Sequence, residues 1–156
     1  MSEKSSPDVV VVSVESAMSV HVERALRGIG CSFDTIKSFE VARAWIRTGS
    51  TSIVVSDVRL GDFNGLHLAW LRHALDPGSP CIITHNWFDP VLDAEARRAG
   101  ASYLVMPAEE PRLTRTIDGL LRLRVPLRCQ RPTGSVAIRS AKGPQGGLCA
   151  NSNSRW

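Results

Sequence analysis

Short apolar runs alternate with longer amphipathic stretches along the first 125 residues. Two of the runs, Val9 to Val12 and Ile53 to Val55, consist only of β-branched residues. A strand with no polar alternation is typical of a parallel sheet that is covered on both faces. Weaker apolar runs predict further strands over Cys31 to Ile36, Cys81 to Thr84 and Tyr103 to Val105.

Five amphipathic segments separate and follow these strands and predict helices. They run from the turn at 13–16 to about Arg27, from Ser38 to Ile46, from Leu66 to Leu75, from Asp89 to Ala99, and from Pro111 to about Arg124. The third helix has a broad apolar stripe, formed by Leu66, Leu68, Trp70, Leu71 and Leu75. Strands that alternate with helices predict an α/β fold with a doubly wound, five-stranded parallel sheet and five helices.

A carboxylate, Asp57, follows the central apolar strand. In open parallel sheets ligands bind outside the carboxyl ends of the strands, so Asp57 is expected at the rim of a crevice. Gly61, Asn64 and Gly65 come next and permit a tight, partly left-handed path into the following helix.

The basic charge of the chain is concentrated at its C-terminal end. Residues 126–156 carry five bases and no acid, whereas residues 1–125 carry 14 bases and 15 acids. We therefore predict a flexible N-terminus over 1–8, one domain over 9–125 and a disordered basic tail over 126–156. A near-neutral domain does not favour nucleic-acid binding, although the tail leaves contact with nucleic acid or acidic lipid open.

The sequence gives no sign of membrane targeting or of a secreted disulfide framework. The apolar run Val9 to Val12 is far shorter than a signal-peptide core or a membrane span. Four widely spaced cysteines without a CxxC pair argue against zinc and favour reduced thiols. We expect a cytoplasmic protein that does not bind membranes.

Two segments resemble the receiver domain of two-component response regulators. The segment from Asp57 to Leu66, DVRLGDFNGL, is similar to the D-x-x-L-P-x-M-D-G-L signature of that family, with Gly61 in place of the proline. Ala99-Gly100-Ala101 and Tyr103 to Pro107 are similar to its A-G-A and Y-L-x-K-P segments. The resemblance covers about Val9 to Arg124 and implies a flavodoxin-like sheet with strand order 2-1-3-4-5.

The resemblance implies that Asp57 accepts a phosphoryl group from a histidine kinase or a phosphotransfer protein. Receivers neutralise the transferring oxygens with Mg²⁺, a lysine and a hydroxyl group. Here the acidic pair that holds Mg²⁺ falls on Ser13 and Val14, and the lysine position is Met106. Only Glu15 and Asp57 remain as carboxylate ligands for Mg²⁺ in the expected pocket, and Glu15 is equally explained as a first-turn acid favoured by the helix dipole.

The hydroxyl position falls on one of two neighbouring residues. Counting back from Met106 places it at Thr84, whereas counting forward from Pro80 places it at His85. Either side chain can donate a hydrogen bond to a phosphoryl oxygen, and a polar residue facing water at a strand end explains both equally well.

The resemblance also indicates a partner surface around the fourth helix, fifth strand and fifth helix. Tyr103 matches the aromatic residue that swings inward on activation, and is equally explained as a half-buried strand aromatic. Trp87 and Phe88 are large apolar groups in the preceding loop, expected either at a contact site or as a lid over the crevice. The predicted surface contains Tyr103, Trp87, Arg97, Arg98, Arg112 and Arg115. A homodimer is a further possible assembly.

Two functions fit these residues. The first is a stand-alone receiver domain in phosphorelay signal transduction with Asp57 as phosphoacceptor; the second is a pseudo-receiver that recruits partners without phosphate chemistry. An enzyme is not expected. Arg59 occupies the second acid position of a D-x-D phosphatase motif, and the loop after the first strand lacks the glycines of a flavodoxin-type cofactor site.

Overall fold

The computed structural model describes residues 6–49 and 52–124, which contain seven strands and five helices. The strands are β1 (Val9–Val12), β2 (Phe33–Ile36), β3 (Ile53–Asp57), β4 (Arg59–Leu60), β5 (Phe63–Asn64), β6 (Cys81–His85) and β7 (Ala101–Val105). The helices are α1 (Ser16–Ile29), α2 (Phe39–Arg47), α3 (Leu66–Leu75), α4 (Pro90–Arg98) and α5 (Glu110–Arg124). The predicted disordered tail and most of the predicted flexible N-terminus lie outside the described residues.

Five of the strands form one parallel sheet in the order β2-β1-β3-β6-β7. This order confirms the predicted 2-1-3-4-5 arrangement, because β4 and β5 form a separate two-stranded ribbon between β3 and α3. The order reverses direction between β1 and β3, and this reversal creates a crevice at the carboxyl ends of the strands. Asp57 is the last residue of β3 and therefore lies at that crevice.

Each face of the sheet is covered by its own hydrophobic core. On one face, Val10, Val54 and Ile83 pack with residues of α2, α3 and α4. On the other face, Val9, Val55 and Ile82 pack with residues of α1 and α5. Full burial of both faces explains why β1 and the start of β3 need an apolar residue at every position.

The helix α3 differs from its predicted apolar stripe. Trp70 and Leu75 are exposed, whereas Arg72 is buried and donates a hydrogen bond from Nη2 to the Ser52 carbonyl oxygen at 3.1 Å. The stripe prediction was wrong at these positions because it treated every large apolar residue as inward-facing. The observed inward positions, Leu66, Leu68, Ala69 and Arg72, follow the three- and four-residue helical spacing more closely.

The described helices contain none with the combined length and apolar character that a bilayer crossing requires.

Candidate functional site

A small cavity lies beside Asp57 at the carboxyl ends of β3 and β6. Its volume is about 40 Å³, and its lining residues come from four different segments: Glu15, Met18, Asp57, Arg59, His85 and Asn86. Asp57 itself is only 5% exposed. We call this cavity and its lining the Asp57 pocket. A second cavity of about 160 Å³ shares Glu15, Met18 and Asn86 with it and extends to Met106 and Pro107.

The chain that follows Asp57 returns to the strand end through the β4–β5 ribbon. Gly65 donates a backbone hydrogen bond to the Val58 carbonyl oxygen at 2.8 Å, and Asn64 Oδ1 accepts one from the Leu66 amide at 2.9 Å. Gly61 has the left-handed φ of 66°, as the sequence predicts. Gly65 has an ordinary helical φ and is required for a different reason. A Cβ there would overlap the Asp57 carbonyl oxygen and lie 2.6 Å from Ser56 Oγ.

Burial controls the ionisation of the Asp57 carboxyl. Loss of solvent raises its pKa to about 6, and the negative charge of Glu15 acts in the same direction. The Arg59 amide, 3.4 Å from Oδ1, and the Arg59 side chain oppose the shift. Asp57 is therefore mainly ionised at pH 7, although it binds a proton more tightly than an exposed aspartate.

The residues around Asp57 lack the acidic pair that the resemblance implies for Mg²⁺. Ser13 is buried with its hydroxyl donating to the Glu15 carbonyl oxygen at 3.0 Å, and Val14 carries no ligand atom. Within 6–49 and 52–124, no cluster of three or more His, Cys, Asp or Glu side chains could hold a metal ion. Mg²⁺ takes oxygen ligands and keeps several waters, and the pocket lining supplies two carboxylates, Glu15 and Asp57, beside the Asn86 amide and a cationic side chain. Glu15 and Asp57 stay the predicted ligands.

Met106 occupies the buried position where the resemblance implies a lysine. Its side chain is 1% exposed and belongs to the core between the sheet, α1 and α5. The Met106–Pro107 peptide bond is cis. The thioether carries no charge, so this position cannot neutralise an anion at Asp57.

The two alternatives for the hydroxyl position, Thr84 and His85, lie in different surroundings. Thr84 is paired with Asp57 in the strand register, but its hydroxyl donates to the Ser56 carbonyl oxygen at 3.4 Å. His85 is 3% exposed and lines the Asp57 pocket. Its Nδ1 accepts a hydrogen bond from the Trp87 amide at 3.2 Å, which assigns the donor proton of the neutral ring to Nε2. Burial lowers the pKa of His85, and the positive charge of Arg59 lowers it further.

Arg59 lines this pocket although sequence reasoning did not assign it to the site, and it contacts Trp87, which was predicted at a partner surface or as a lid over the crevice. The Arg59 guanidinium carbon is 5.0 Å from the centroid of the Trp87 ring, a cation–π contact. The Trp87 ring in turn lies edge-on to His85, with 4.0 Å between ring centroids. Trp87 is still 45% exposed, so it both contacts the pocket residues and presents a surface to solvent.

The predicted partner surface consists of α4, β7 and α5, and we call it the α4–β7–α5 face. Tyr103 is buried there, and its hydroxyl donates to the Trp87 carbonyl oxygen at 2.8 Å. A cavity of about 260 Å³ opens beside Tyr103 and the exposed Phe88.

Three of the four predicted arginines on this face are paired with acids one helical turn away. The pairs are Arg97 with Asp93 at 2.8 Å, Arg98 with Glu95 at 2.6 Å and Arg112 with Glu109 at 2.8 Å. Arg115 donates from Nε to the Pro111 carbonyl oxygen at 3.3 Å. The acids offset much of the positive charge that the arginines alone would give the face.

Solved structures share this architecture. The beryllofluoride-activated NtrC4 receiver domain dimer has a TM-score of 0.64 and 23% identity, covering 74% of this chain and 96% of that one. A CheY-like response regulator receiver domain protein from Methanospirillum hungatei has a TM-score of 0.64 and 21% identity, covering 74% and 93%. The chain has the fold of a response-regulator receiver domain.

Sequence comparison agrees with the receiver-domain fold. No family model matches the chain. The transcriptional regulatory protein ZraR of Salmonella typhimurium is 28% identical over 131 residues, and that of Salmonella typhi shows the same identity. The match covers 83% of this chain but only 30% of the length of either relative. The receiver-domain prediction is thus confirmed at the level of the fold, and the roles of individual site residues stay predictions.

Proposed function

We propose that this receiver domain acts in phosphorelay signal transduction with Asp57 as the phosphoryl acceptor. The observation that carries the proposal is the position of Asp57: it ends the central strand and lines a small polar cavity together with Arg59 and His85. The receiver-domain fold supports the same role. A histidine kinase or phosphotransfer protein is the proposed donor, and the α4–β7–α5 face is the proposed partner surface.

The chemical step required of Asp57 is a displacement at phosphorus. A carboxylate oxygen of Asp57 forms the new O–P bond as the P–N bond of the donor phosphohistidine breaks. The electron pair of the broken bond leaves with the imidazole nitrogen, which then takes a proton from solvent. Because the pKa of Asp57 is about 6, the ionised form needed for attack predominates at pH 7.

Several predictions attached to this function extend beyond the site. The matched NtrC4 receiver domain is described as a dimer, and we propose a homodimer as the assembly to test here. A role without enzymatic turnover, a cytoplasmic location and the absence of nucleic-acid binding by the domain stay predictions.

Acetyl phosphate tests the proposal directly. We expect intact-mass spectrometry to show one added phosphoryl group on the full chain and none on Asp57→Ala. Asp93→Ala, which removes a carboxylate on α4, is the matched control and should label like the parent chain. No adduct under conditions that label an ordinary receiver would overturn the proposal.

A second candidate is a pseudo-receiver that binds partners without phosphorylation. The specific observation in its favour is that Ser13 and Val14 stand at the positions of the implied acidic pair and that the uncharged Met106 is buried at the position of the lysine. Phosphoryl transfer depends largely on charge neutralisation, so these losses slow it. Restoring charge with Val14→Asp and Met106→Lys should increase labelling if the rest of the pocket is competent. An unlabelled parent chain would favour the pseudo-receiver.

A further inference from the structure

We infer that Arg59, held against the Trp87 ring, is the cation of the Asp57 pocket and allows it to hold a phosphoryl-class anion without a divalent metal. The inference deepens the proposed function and rests on it for the identity of the natural ligand. The anion-holding property itself concerns only the residues of the pocket and can be measured separately.

The first support is that Arg59, unlike most arginines of the described domain, has an aromatic side chain and not an acid as its partner. The helical arginines Arg24, Arg27, Arg43 and Arg122 form ion pairs with nearby acids, as do three of the four on the α4–β7–α5 face. Within residues 6–49 and 52–124, Arg59 makes no ion pair; its side chain contacts the Trp87 ring instead. Stacking on an aromatic face leaves the N–H groups at the edge of the guanidinium plane free to donate.

The second support is the set of residues that line the pocket together with Arg59. Arg59 lines the same 40 Å³ cavity as Asp57 and His85. His85 is almost fully buried, its Nδ1 is occupied by the Trp87 amide, and in the described structure Nε2 has no hydrogen-bond partner. The neutral ring therefore adds a donor, and Arg59 adds the positive charge. Donors of these two kinds suit the oxygens of a phosphoryl group.

The third support is the charge that an anion would meet without Arg59. Glu15 and Asp57 both line the cavity, and the position at which the resemblance implies a lysine holds the uncharged Met106. Two like charges at one site disfavour a further anion unless a cation is close. Arg59 is the cationic side chain that lines the cavity. The small volume admits one compact group, and the adjoining 160 Å³ cavity leaves room for the molecule that carries it.

Beryllofluoride in magnesium-free buffer is the probe for this inference. A carboxylate oxygen of Asp57 replaces the water on BeF₃(H₂O)⁻, the water leaves, and the product places a negatively charged tetrahedral group where a phosphoryl group would be. We expect saturable shifts of the Trp87 indole N–H and the Arg59 amide in ¹⁵N NMR spectra of the full chain, with no increase in affinity when Mg²⁺ is added. Trp87→Phe assigns the indole signal.

Three variants test whether anion binding depends on Arg59 itself or only on the net charge of the protein. Arg59→Gln should weaken binding at least tenfold, whereas Arg112→Gln, which removes a paired arginine of α5, should leave it unchanged. Glu15→Gln should tighten binding several-fold because it removes a like charge; a weaker affinity would contradict the inference that Glu15 opposes the bound anion. The exposed positions of Arg59 and Glu15 leave the fold intact, which the remaining amide signals verify.

The outcomes distinguish this inference from the proposed function. Binding that requires Mg²⁺, equal binding by Arg59→Gln, or no saturable shift in magnesium-free buffer would each overturn the inference. Failure of acetyl phosphate to label a chain that binds beryllofluoride without Mg²⁺ would overturn the proposed function and leave the inference standing.

Discussion

The Asp57 pocket and the α4–β7–α5 face both contain arginines and carboxylates. Three arginines of the face form ion pairs with acids, whereas Arg59 of the pocket forms none within the described part of the chain. On the face, Arg97, Arg98 and Arg112 reach acids three or four residues away along the chain. In the pocket, Arg59 contacts an aromatic ring, and Asp57 is buried with only a long backbone hydrogen bond at Oδ1.

The charged groups of the two regions therefore differ in their effect on the stability of the fold. Exposed pairs on the face contribute little to stability, because solvent screens them and ordering the side chains costs entropy. Burial of the Asp57 carboxylate destabilises the ionised fold more than the charge of Arg59 stabilises it, and the pKa of Asp57 is raised as a result. The charged groups of the pocket can therefore interact with a ligand, whereas those of the face already form ion pairs.

The largest expected effect concerns the close approach of Gly65 to the Asp57 carbonyl oxygen. In Gly65→Ala the new Cβ overlaps the Asp57 carbonyl oxygen, so we expect a loss of about 3 kcal/mol in the free energy of unfolding. Urea denaturation measures it. Gly119→Ala on α5 is the control: nothing lies within 4 Å of the added Cβ, and the substitution should stabilise by up to about 1 kcal/mol. Equal stabilities for the two variants would contradict the close approach at Gly65.

The next effect concerns the ionised Asp57 carboxyl. Its pKa rises from 3.8 to about 6 on folding, so the folded chain holds the proton more tightly and loses stability as the pH rises through this interval. Asp57→Asn should thus be more stable than the parent chain by about 2 kcal/mol above pH 6. The gain should vanish below about pH 3.8. Unfolding curves recorded across this pH range decide the matter, and a pH-independent difference would show that Asp57 is not destabilised by ionisation.

The smallest effect has the opposite sign and lies on the α4–β7–α5 face. Glu109 accepts hydrogen bonds from the Val105 amide at 2.6 Å and from Arg112 at 2.8 Å, which lower its pKa below 4.5. Glu109→Gln should therefore destabilise the fold by about 0.5–1 kcal/mol at pH 7. The difference should disappear on acidification below pH 4.5, as the parent carboxylate takes up its proton. A variant as stable as the parent at neutral pH would show that the pair contributes nothing.

The fold was accessible from sequence because burial on both faces of a parallel sheet leaves a strong pattern. Val9 to Val12 and Ile53 to Val55 have no polar residue, and the structure buries them all. The pattern is weaker where a strand lies at the edge: β2 begins at Phe33 rather than Cys31, and its Asp34 is exposed. The small β4–β5 ribbon was missed because two-residue strands have no detectable periodicity.

The site was only partly accessible from sequence. Asp57 could be placed at the crevice because its position at the strand end follows from the fold. The contact between Arg59 and Trp87 could not be predicted, since it joins segments 28 residues apart whose loops have no periodic signal. A usable signal was nevertheless present: a basic residue two positions after the strand-end acid, in a chain that lacks the expected lysine.

The β4–β5 ribbon links the pocket to a distant part of the surface. Arg59 of β4 is paired with Asn64 of β5, and the adjoining Phe63 stacks on Phe39 of α2 with 4.3 Å between ring centroids. The two strands are hydrogen-bonded as one unit. The ribbon therefore joins the arginine of the Asp57 pocket to an aromatic stack on α2, on the face of the sheet opposite α1 and α5.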